Sequence, residues 1–555
     1  MKKIKILIIS LIPVILIISC GHNHTKNYGG YTNSKPKLIV GIVADQMAYD
    51  YVERYWNKFS ANGIKKLFQD GFVCKNAYYE HFPTYTGPGH ATIYTGVDPS
   101  VSGIVGNNWY DRDKHREVYC TDDSTVSTVG SFSTEGKMSP KNLWVTTITD
   151  RLKLTSNFKS KVIGISLKDR AAILPAGHLA DGAFWYDGAS KNFITSTYYT
   201  DKAPEWLEKF NSRHLVDEYL SHDWNTLLPI EDYTESTPDD NKYEKTFKGE
   251  EKPVFPHKLS ELKYANNSAL QYSPFGNSLT KDFAIDVIKG NQMGKGDYTD
   301  FLCINFASTD YVGHMYGPYS VEAEDTYLRF DKDIAGLLKF LDDYLGMDNV
   351  LVFLTADHGN SPNPLFLKDH KLDAGAFYEG RIKDSCNEYV KQIFNIDNAV
   401  LDVINQQIYL DHVKIEQSGK SLNIIEDSLA GFILSNVDGV ESAYPVYDLS
   451  TKLPYNKVVS NFINGYNPKR SGDIFINFSP YWIVDGLKGT EHGSPYTYDT
   501  HVPLVWYGWK VKSGVSYDYT QVKGIVPTLA DILNIDVPEE CHAEPVKDLL
   551  KSIGE

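Results

Sequence analysis

The sequence lacks an excess of positive charge. Its 555 residues include 55 Lys and Arg against 71 Asp and Glu, which gives a formal net charge of −16. A surface that binds nucleic acid needs concentrated positive charge to neutralise the phosphates. We therefore predict no nucleic-acid partner, and any anionic ligand has to meet a local cluster of cations.

Cysteine is scarce, and the chain has no internal repeat or long low-complexity tract. Of six cysteines, Cys20 lies in the leader and five follow at positions 74, 120, 303, 386 and 541. Five cannot all pair, and their spacing shows no disulfide framework. One or two disulfides stay open without an assignable pairing. Cys303 lies within an apolar run and is predicted to be a buried free thiol.

Apolar runs long enough to span a membrane comfortably are also missing, and the apolar run at the N-terminus is a short one. Three of the first five residues are lysines, and Ile6–Ile18 is apolar but too short for a comfortable membrane span. The following Ser19-Cys20-Gly21 resembles a bacterial lipobox. This predicts a lipoprotein signal peptide over 1–19 and a tether over 20–36 that is lipidated on Cys20. An ordinary signal peptide or an uncleaved anchor is the alternative.

Four short apolar runs each end in polar or charged residues. Such runs are typical of strands buried on both faces, as in a parallel sheet covered by helices. Ligands bind such sheets at the carboxyl ends of the strands. We therefore predict the α/β class with a mostly parallel central sheet. The runs are Leu38–Ala44, Val162–Leu167, Phe301–Ala307 and Val350–Ala356.

The core stretches alternate with segments of different character. Residues 171–275 are rich in Tyr, Trp, Asp and Pro with weak periodicity, and are interpreted as an insertion that covers the site. Residues 366–485 are interpreted as a second insertion, a small α+β unit with a strand over 400–409. Apolar residues at helical spacing predict a helix over 325–345. The expected layout is one catalytic domain over 37–555 with these two insertions.

Metal-capable side chains follow three of the apolar runs. Asp310 and His314 lie one helical turn apart, and His492 lies in a glycine-rich loop. An aspartate after a strand is commonly a helix N-cap, and an isolated histidine is commonly a surface residue, so the prediction depends on the set. Carboxylates with imidazoles suit zinc, and six donors suit two zinc ions with open positions. The candidate ligands are Asp45, Asp310, His314, Asp357, His358 and His492.

A hydroxyl-rich segment supplies the candidate nucleophile. Thr86 precedes Gly87-Pro88, and proline is favoured in the first turn of a helix. Thr86 is therefore expected at a helix N-terminus, where backbone N–H groups and the helix dipole favour an alkoxide and a phosphate. Two alternatives stay open: Thr86 only caps the helix, or Thr84 is the reactive hydroxyl. His90 is predicted to be a packed helix residue.

Several segments, in order along the chain, resemble the alkaline phosphatase superfamily. Its nucleotide pyrophosphatase/phosphodiesterases share the general form, and the phosphate-irrepressible bacterial alkaline phosphatases are most similar. The resemblance implies a three-layer αβα sandwich with inserted cap subdomains. It is carried by Pro83-Thr84-Tyr85-Thr86, Gly103-Ile104-Val105-Gly106-Asn107, Leu167-Lys168-Asp169-Arg170 and His492-Gly493-Ser494-Pro495.

The resemblance also implies a role for each site residue. Thr86 would be the nucleophile and form a phosphothreonine intermediate. One Zn²⁺, also in contact with Thr86, would be bound by Asp45, Asp357 and His358. The other Zn²⁺, facing the leaving group, would be bound by Asp310, His314 and His492. Phosphoryl oxygens would be contacted by Asn107, Lys168 and Arg170.

The substrate prediction depends on charge. A phosphate monoester carries two negative charges and a diester one, and Lys168 and Arg170 provide donors for the extra charge. We therefore predict a hydrolase of small phosphate monoesters. From the leader we expect it to be exported, to the periplasm or the cell surface, and to contact the membrane only through a lipidated Cys20. We expect a monomer. The alternative is a phosphodiesterase or nucleotide pyrophosphatase. The sequence has no Cys-x-Pro-x-Arg segment from which a sulfatase forms its formylglycine. A binding protein on an enzyme fold is disfavoured by the intact ligand set.

Overall fold

The computed structural model describes residues 34–266, 268–449 and 456–554. The predicted signal peptide, Cys20 and the tether up to residue 33 lie outside these ranges. Of the helices within them, none has both the length and the apolarity that a membrane crossing requires.

The strands of these ranges are numbered in chain order. They are β1 (Leu38–Ala44), β2 (Phe72–Tyr78), β3 (Asn108–Asp111), β4 (Arg116–Tyr119), β5 (Thr128–Val129), β6 (Val162–Ser166), β7 (Gly182–Asp187), β8 (Asn192–Ser196), β9 (Asp300–Phe306), β10 (Val350–Thr355), β11 (Gly375–Phe377), β12 (Val400–Ile404), β13 (Gln407–Leu410), β14 (Val440–Pro445), β15 (Ile474–Phe478), β16 (Trp482–Val484), β17 (His501–Gly508) and β18 (Gly514–Gln521).

The α-helices are numbered in the same way. They are α1 (Asp50–Arg54), α2 (Ile64–Asp70), α3 (Thr86–Thr95), α4 (Pro99–Ser102), α5 (Ile148–Thr155), α6 (Asp169–Ala176), α7 (Glu205–Asn211), α8 (Leu215–Tyr219), α9 (Leu259–Leu262), α10 (Phe275–Gly290), α11 (Ser308–Tyr316), α12 (Val321–Leu345), α13 (Pro364–Asp369), α14 (Glu379–Phe394), α15 (His412–Gln417), α16 (Leu422–Asn436), α17 (Val446–Leu449), α18 (Lys457–Gly465), α19 (Thr497–Thr500), α20 (Ile525–Leu533) and α21 (Lys547–Gly554).

The main sheet has ten strands in the order β18-β2-β17-β10-β1-β9-β6-β7-β8-β5. Its centre, β10-β1-β9-β6-β7, is parallel throughout. Antiparallel strands lie towards both edges, with β17 between β10 and β2 and β8 beside β7. Every residue of β1, β9 and β10 is buried, as expected for strands with helices on both faces. The predicted α/β fold with a mostly parallel central sheet is confirmed.

The four apolar runs of the sequence form the adjacent strands β10, β1, β9 and β6. Their register is nearly level, because Val43 of β1 pairs with Thr355 of β10 and with Asn305 of β9. The carboxyl ends therefore meet at one edge of the sheet. Residues 45, 168, 310 and 357, which follow these ends, are brought to the same place.

Residues 366–485 contain a second sheet, of four strands in the order β12-β13-β15-β14. Helices α14 and α16 contribute Cys386 and Leu429 to its separate apolar core. The prediction of one strand over 400–409 is wrong, because β12 and β13 form an antiparallel hairpin. The chain reverses at Asn405 and Gln406, whose φ angles of 56° and 60° are left-handed.

Residues 171–275 have a mixed character. Strands β7 and β8 within this segment extend the main sheet, and α7 packs on α10 through the rings of Phe210 and Phe283, with centroids 4.8 Å apart. The later part, up to Tyr272, runs over the site edge without strands of its own. The predicted helix over 325–345 is confirmed as the greater part of α12.

Candidate metal and phosphate site

Two strand ends supply the first cluster of donors, here called the first Asp/His group: Asp45 after β1, and Asp357 and His358 after β10. All three are fully buried, and one donor atom from each lies within 4.8 Å of the others. His358 Nε2 is 3.7 Å from Asp45 Oδ1 and 3.4 Å from Asp357 Oδ2. Within the described residues, none of these three atoms has a hydrogen-bond partner. Since leaving buried polar atoms unpaired is costly, the group fits a bound cation.

The second Asp/His group comprises Asp310, His314 and His492. Asp310 and His314 lie one turn apart on α11, with Nε2 of His314 3.0 Å from Asp310 Oδ1. His492 enters from the loop after β16, with Nε2 3.6 Å from the same oxygen. Its ring stacks on that of His358 at a centroid distance of 3.6 Å, so the two groups adjoin. The structure thus brings all six predicted donors together.

The three histidines of the two groups use their ring nitrogens in the same way. Each places Nδ1 near a backbone carbonyl and directs Nε2 towards the carboxylates. An Nδ1–H that donates to a carbonyl fixes the tautomer and leaves the Nε2 lone pair free, as in histidines that bind metals. Together with the carboxylates, this donor set fits zinc. For His314, His358 and His492 the carbonyls belong to Thr490, Gly359 and Thr84, at 2.9, 2.9 and 2.8 Å.

The charges of the site are strongly unbalanced. Burial and the neighbouring Asp357 carboxylate raise the pKa of Asp45. At Asp310 burial favours the neutral form, but the charges of His314 and Lys168 outweigh it and lower the pKa. Burial, together with the adjacent rings of His358 and His314, lowers the pKa of His492. Three carboxylates this close together require positive charge between them.

Lys168 supplies part of that charge. It follows β6, and its Nζ lies 2.6 Å from Asp310 Oδ2 and 3.0 Å from Asp45 Oδ2. Burial opposes its charge, but Asp310 and Asp45 raise its pKa, so the side chain is an ammonium ion. The ammonium therefore bridges the two Asp/His groups. A contact between Lys168 and a phosphoryl oxygen stays a prediction.

Arg170 lies in the first turn of α6, two residues after Lys168. Its Nη1 donates to the Tyr119 hydroxyl at 3.0 Å, and that hydroxyl donates to Asp169 Oδ1 at 2.8 Å. Nε of Arg170 has no hydrogen-bond partner in the described chain. One arm of the guanidinium is thus fixed while other donors remain available. Sequence reasoning missed Tyr119, which lies at the end of β4, the second strand of the hairpin that follows Asn107, and gives no signal of its own.

Thr86 begins α3, as predicted from Pro88. Tyr85 occupies the N-cap position and no side chain caps the helix, so Thr86 is not a capping residue. The Thr86 side chain is 1 % exposed, and its hydroxyl has no hydrogen-bond partner among the described residues. Thr84, the rival hydroxyl, donates to the carbonyl of Ser494 at 2.9 Å. Of the two hydroxyls, that of Thr86 is the one without a hydrogen bond to another described residue.

Asn107 joins this helix start to the site. Its Oδ1 accepts the backbone N–H of Gly87 at 2.8 Å, which leaves its amide N–H₂ free to donate. Gly89 allows α3 to approach the first Asp/His group, because an added Cβ would lie 2.2 Å from the Asp357 carbonyl oxygen. His90 is fully buried on α3, as predicted, and its Nδ1 lies 3.3 Å from Asp357 Oδ2.

Two further residues were missed by sequence reasoning. Gln46 donates from Nε2 to Asp310 Oδ1 at 2.7 Å and from its backbone N–H to Asp357 Oδ1 at 3.2 Å, so it holds both groups. Glu491 Oε1 lies 3.2 Å from His314 Nδ1. The available signal was adjacency in sequence, since Gln46 follows Asp45 and Glu491 precedes His492.

Comparison with known proteins gives close matches over most of the chain. The sequence profile of the type I phosphodiesterase / nucleotide pyrophosphatase family matches residues 39–504. A protein of Myroides odoratus named calcium-transporting ATPase is 43% identical over 526 residues, covering 93% of this chain and 95% of the relative. Alkaline phosphatase PafA of Elizabethkingia meningoseptica is 42% identical over 524 residues, with the same coverage of 93% and 95%.

The likeness extends to three dimensions. The crystal structure of alkaline phosphatase PafA is similar to this structure with a TM-score of 0.91 at 41% sequence identity. The match covers 94% of this chain and all of that one, 100%. The arrangement of sheet and insertions is therefore shared over nearly the whole chain.

Proposed function

The chain belongs to the type I phosphodiesterase / nucleotide pyrophosphatase family of the alkaline phosphatase superfamily, and from this membership we propose that it is a zinc-dependent alkaline phosphatase. Its substrates are small phosphate monoesters, and the reaction proceeds through a phosphothreonine formed on Thr86. The family and the identity to alkaline phosphatase PafA support the enzyme class. The arrangement of the site residues supports the finer assignment.

One observation carries this proposal: two adjoining Asp/His groups share a sheet edge with both Lys168 and Arg170. Two cations and two basic side chains can together neutralise the two charges of a monoester phosphate. An ester with one charge would need less positive charge at the same place. The geometry therefore favours monoesters.

The chain's own residues account for binding and for the covalent step. The Thr86 hydroxyl gives its proton to solvent, and its oxygen attacks phosphorus in line. A new P–O bond forms, the P–O bond to the alcohol breaks, and the departing oxygen takes up a proton from water. The negative charge on the transferred group is stabilised by the N–H groups and dipole of α3, by the free amide of Asn107 and by the unpaired donors of Arg170. Water then cleaves the phosphothreonine, which restores Thr86 and releases inorganic phosphate.

The two Asp/His groups are the expected zinc sites. Zinc held there would lower the pKa of the Thr86 hydroxyl, stabilise the departing oxygen and neutralise the carboxylates that Lys168 now neutralises. Lys168 would then be available to donate to a phosphoryl oxygen. In the second Asp/His group, Gln46 helps to hold Asp310 in place, because its side-chain amide donates to that carboxylate.

A substrate panel with the purified protein tests the proposal. A phosphate monoester and a diester of the same leaving group are assayed before and after a chelator removes the metal, with zinc added back afterwards. We expect the monoester to react much faster, and its hydrolysis to stop without metal and return with zinc. Full monoesterase activity in protein shown by elemental analysis to be metal-free would overturn it.

A second candidate is a phosphodiesterase or nucleotide pyrophosphatase, because the matching family profile bears that name. A higher kcat/KM for the diester in the same panel would favour it. The name of the Myroides odoratus relative, calcium-transporting ATPase, makes ATP with and without Ca²⁺ a useful member of the panel.

We further propose that the enzyme acts outside the cytoplasm as a monomeric lipoprotein. The lysine-rich start, the short apolar run and Ser19-Cys20-Gly21 support export and lipidation. Phosphate would then be released in the periplasm or at the cell surface.

A further inference from the structure

A cavity of about 510 Å³ opens beside the second Asp/His group. His314 and Glu491 line it from the site, and Lys245, Lys248 and Tyr272 line it from the segment that runs over the site edge. Its volume lies in the range of small-molecule pockets and is large enough for a sugar or a nucleoside. The proposed phosphate and metal sites leave this space unused.

The position of the cavity connects it to the reaction. His314 belongs to the second Asp/His group, which the family resemblance places on the side of the leaving group. A phosphate held at Thr86 would therefore extend its alcohol past His314 into the cavity. This placement of the alcohol rests on the proposed function.

The charge that is free within the cavity is positive. Lys245 and Lys248 line the cavity and are exposed to solvent, and among the described residues neither forms an ion pair. Glu491 is the one carboxylate of the lining, and its Oε1 lies 3.2 Å from His314 Nδ1. The chain has a net charge of −16, whereas the lining of this cavity has two lysines and one glutamate.

Backbone contacts hold this lysine-bearing wall against the protein body. The N–H of Lys245 donates to the carbonyl of Met315, next to His314, at 2.9 Å. The N–H of Lys248 donates to Asn266 Oδ1 at 3.0 Å, and Asn266 Nδ2 donates back to the Lys248 carbonyl at 3.0 Å. Phe247, between the two lysines, is 4 % exposed and anchors the segment.

An aromatic face completes the cavity. Tyr272 is half-buried, and its ring lies 5.0 Å from that of Tyr311. The Tyr311 ring in turn lies 5.0 Å from Lys168 Nζ. Tyr272 thus connects the cavity wall, through the Tyr311 ring, to Lys168. An aromatic wall with two exposed lysines is a suitable lining for the ring of a leaving group with its charge at the far end.

We infer that this cavity is a leaving-group pocket that selects phosphate monoesters whose alcohol carries a second anionic group. Sugar- or nucleoside-sized alcohols that bear a further phosphate or a carboxylate are the matching class. The ammonium groups of Lys245 and Lys248 interact with that second anion. Because both are exposed to solvent, together they raise kcat/KM for the anionic ester roughly five- to tenfold.

Two esters of equal size test the inference. The assay compares kcat/KM for para-carboxyphenyl phosphate with that for its neutral amide, para-carbamoylphenyl phosphate, and the ratio is followed across variants. In Lys245→Ala/Lys248→Ala the ratio of anionic to neutral ester is expected to fall roughly five- to tenfold. In Lys245→Arg/Lys248→Arg, which keeps both charges, it is expected to stay near the wild-type ratio.

A charge-matched control distinguishes an effect of the two cavity lysines from an effect of the protein's overall net charge. Lys252 and Lys258 lie in the same segment but outside the cavity, paired with Asp240 and Asp223. Lys252→Ala/Lys258→Ala removes the same net charge and is expected to keep the wild-type ratio. An unchanged ratio in Lys245→Ala/Lys248→Ala, or an equal fall in the control, would overturn the pocket. Hydrolysis of neither ester by the wild type would instead overturn the proposed function itself.

Discussion

Thr84 and Thr86 are two hydroxyls separated by one residue, yet their surroundings differ. Thr84 donates its hydroxyl to the carbonyl of Ser494, whereas Thr86 is a buried residue at the start of α3 whose hydroxyl makes no hydrogen bond to another described residue. We therefore expect Thr86→Ala to lower monoesterase kcat/KM by roughly 10³-fold or more, because the nucleophile is lost. Steady-state kinetics with zinc content by elemental analysis checks this, and zinc should stay bound.

Thr84→Ala is the matched control for that variant. It removes a hydroxyl of the same kind two positions away and is expected to keep most of the activity. Undiminished activity in Thr86→Ala, or a larger loss in Thr84→Ala, would contradict the assignment of the nucleophile.

The proposed function assigns the choice between monoesters and diesters to Lys168 and Arg170. We expect Lys168→Ala/Arg170→Ala to reduce monoester hydrolysis by roughly 10²- to 10⁴-fold, since charge-assisted hydrogen bonds contribute about 1.5–3 kcal/mol each. Hydrolysis of a diester with the same leaving group should fall much less, because its phosphate carries one negative charge. An equal fall in the hydrolysis of both esters would show that Lys168 and Arg170 do not discriminate between substrates by the charge of the phosphate.

At the scale of elements, the close approach of α3 to the end of β10 depends on Gly89. An added Cβ would lie 2.2 Å from the carbonyl oxygen of Asp357. We expect Gly89→Ala to lower the free energy of unfolding by about 1–3 kcal/mol and to weaken zinc binding, because the helix start has to move from the first Asp/His group. Urea unfolding and zinc titration check this.

Gly336 provides the comparison within a helix that is not crowded. A Cβ there meets only Lys281 Cδ at 3.7 Å. Gly336→Ala in α12 is expected to be neutral or to stabilise by about 0.5–1 kcal/mol, since alanine is the better helix former. The same result in Gly89→Ala would show that the approach of α3 tolerates a methyl group.

The elements also show what a local pattern can predict. Strands β1, β9 and β10 and helix α12 were predictable, because a continuous apolar run or a 3.6-residue period marks them. The β12–β13 hairpin was not, because its turn at Asn405 and Gln406 interrupts an apolar run without glycine or proline. The membership of β7 and β8 in the main sheet was also hidden, since pairing with β6 is a long-range choice.

At the scale of the whole molecule, one buried ion pair joins the covering segment to the protein body. His257 lies between Glu250 Oε1 at 2.8 Å and Glu322 Oε1, in the first turn of α12, at 3.1 Å. Burial opposes its charge, but the two carboxylates outweigh burial and raise the pKa of His257 from 6.5 to about 9. Its contribution to stability is thus fully present below pH 6.5 and is lost as the pH rises through about 9.

We therefore expect His257→Gln to destabilise the protein by roughly 1.5–3 kcal/mol at pH 6 and by much less at pH 10. Urea unfolding of both proteins at the two pH values measures the difference. His222→Gln changes an exposed histidine of the same segment and should cost little at either pH. An effect of His257→Gln that is independent of pH would contradict the charged pair.

The predicted localisation and lipidation are tested by fractionating cells that express the full chain. We expect wild-type protein to remain with the membrane fraction, and Cys20→Ser to lose both lipid labelling and membrane association. The variant's phosphatase activity should remain, since the proposed site residues all follow residue 44 and none lies in the predicted leader or tether. Membrane association that survives the substitution would favour an uncleaved anchor, and release of the wild type would favour an ordinary signal peptide.

The sequence by itself determined the class of sheet, the helix start at Thr86 and the set of six metal-capable donors. These depend on local patterns: apolar runs, a Thr-Gly-Pro segment, and carboxylates or imidazoles directly after strands. The alkaline phosphatase resemblance followed from the same short segments. Each can be recognised without knowing which strands are neighbours.

Only the tertiary structure decided which residues support those donors. Gln46 and Glu491 reach the second Asp/His group, and Tyr119 holds Arg170, through contacts that span up to hundreds of residues. Such contacts depend on the order and register of parallel strands, which leave no pattern in the chain. The folded covering segment likewise places Lys245 and Lys248 in the same cavity lining as His314.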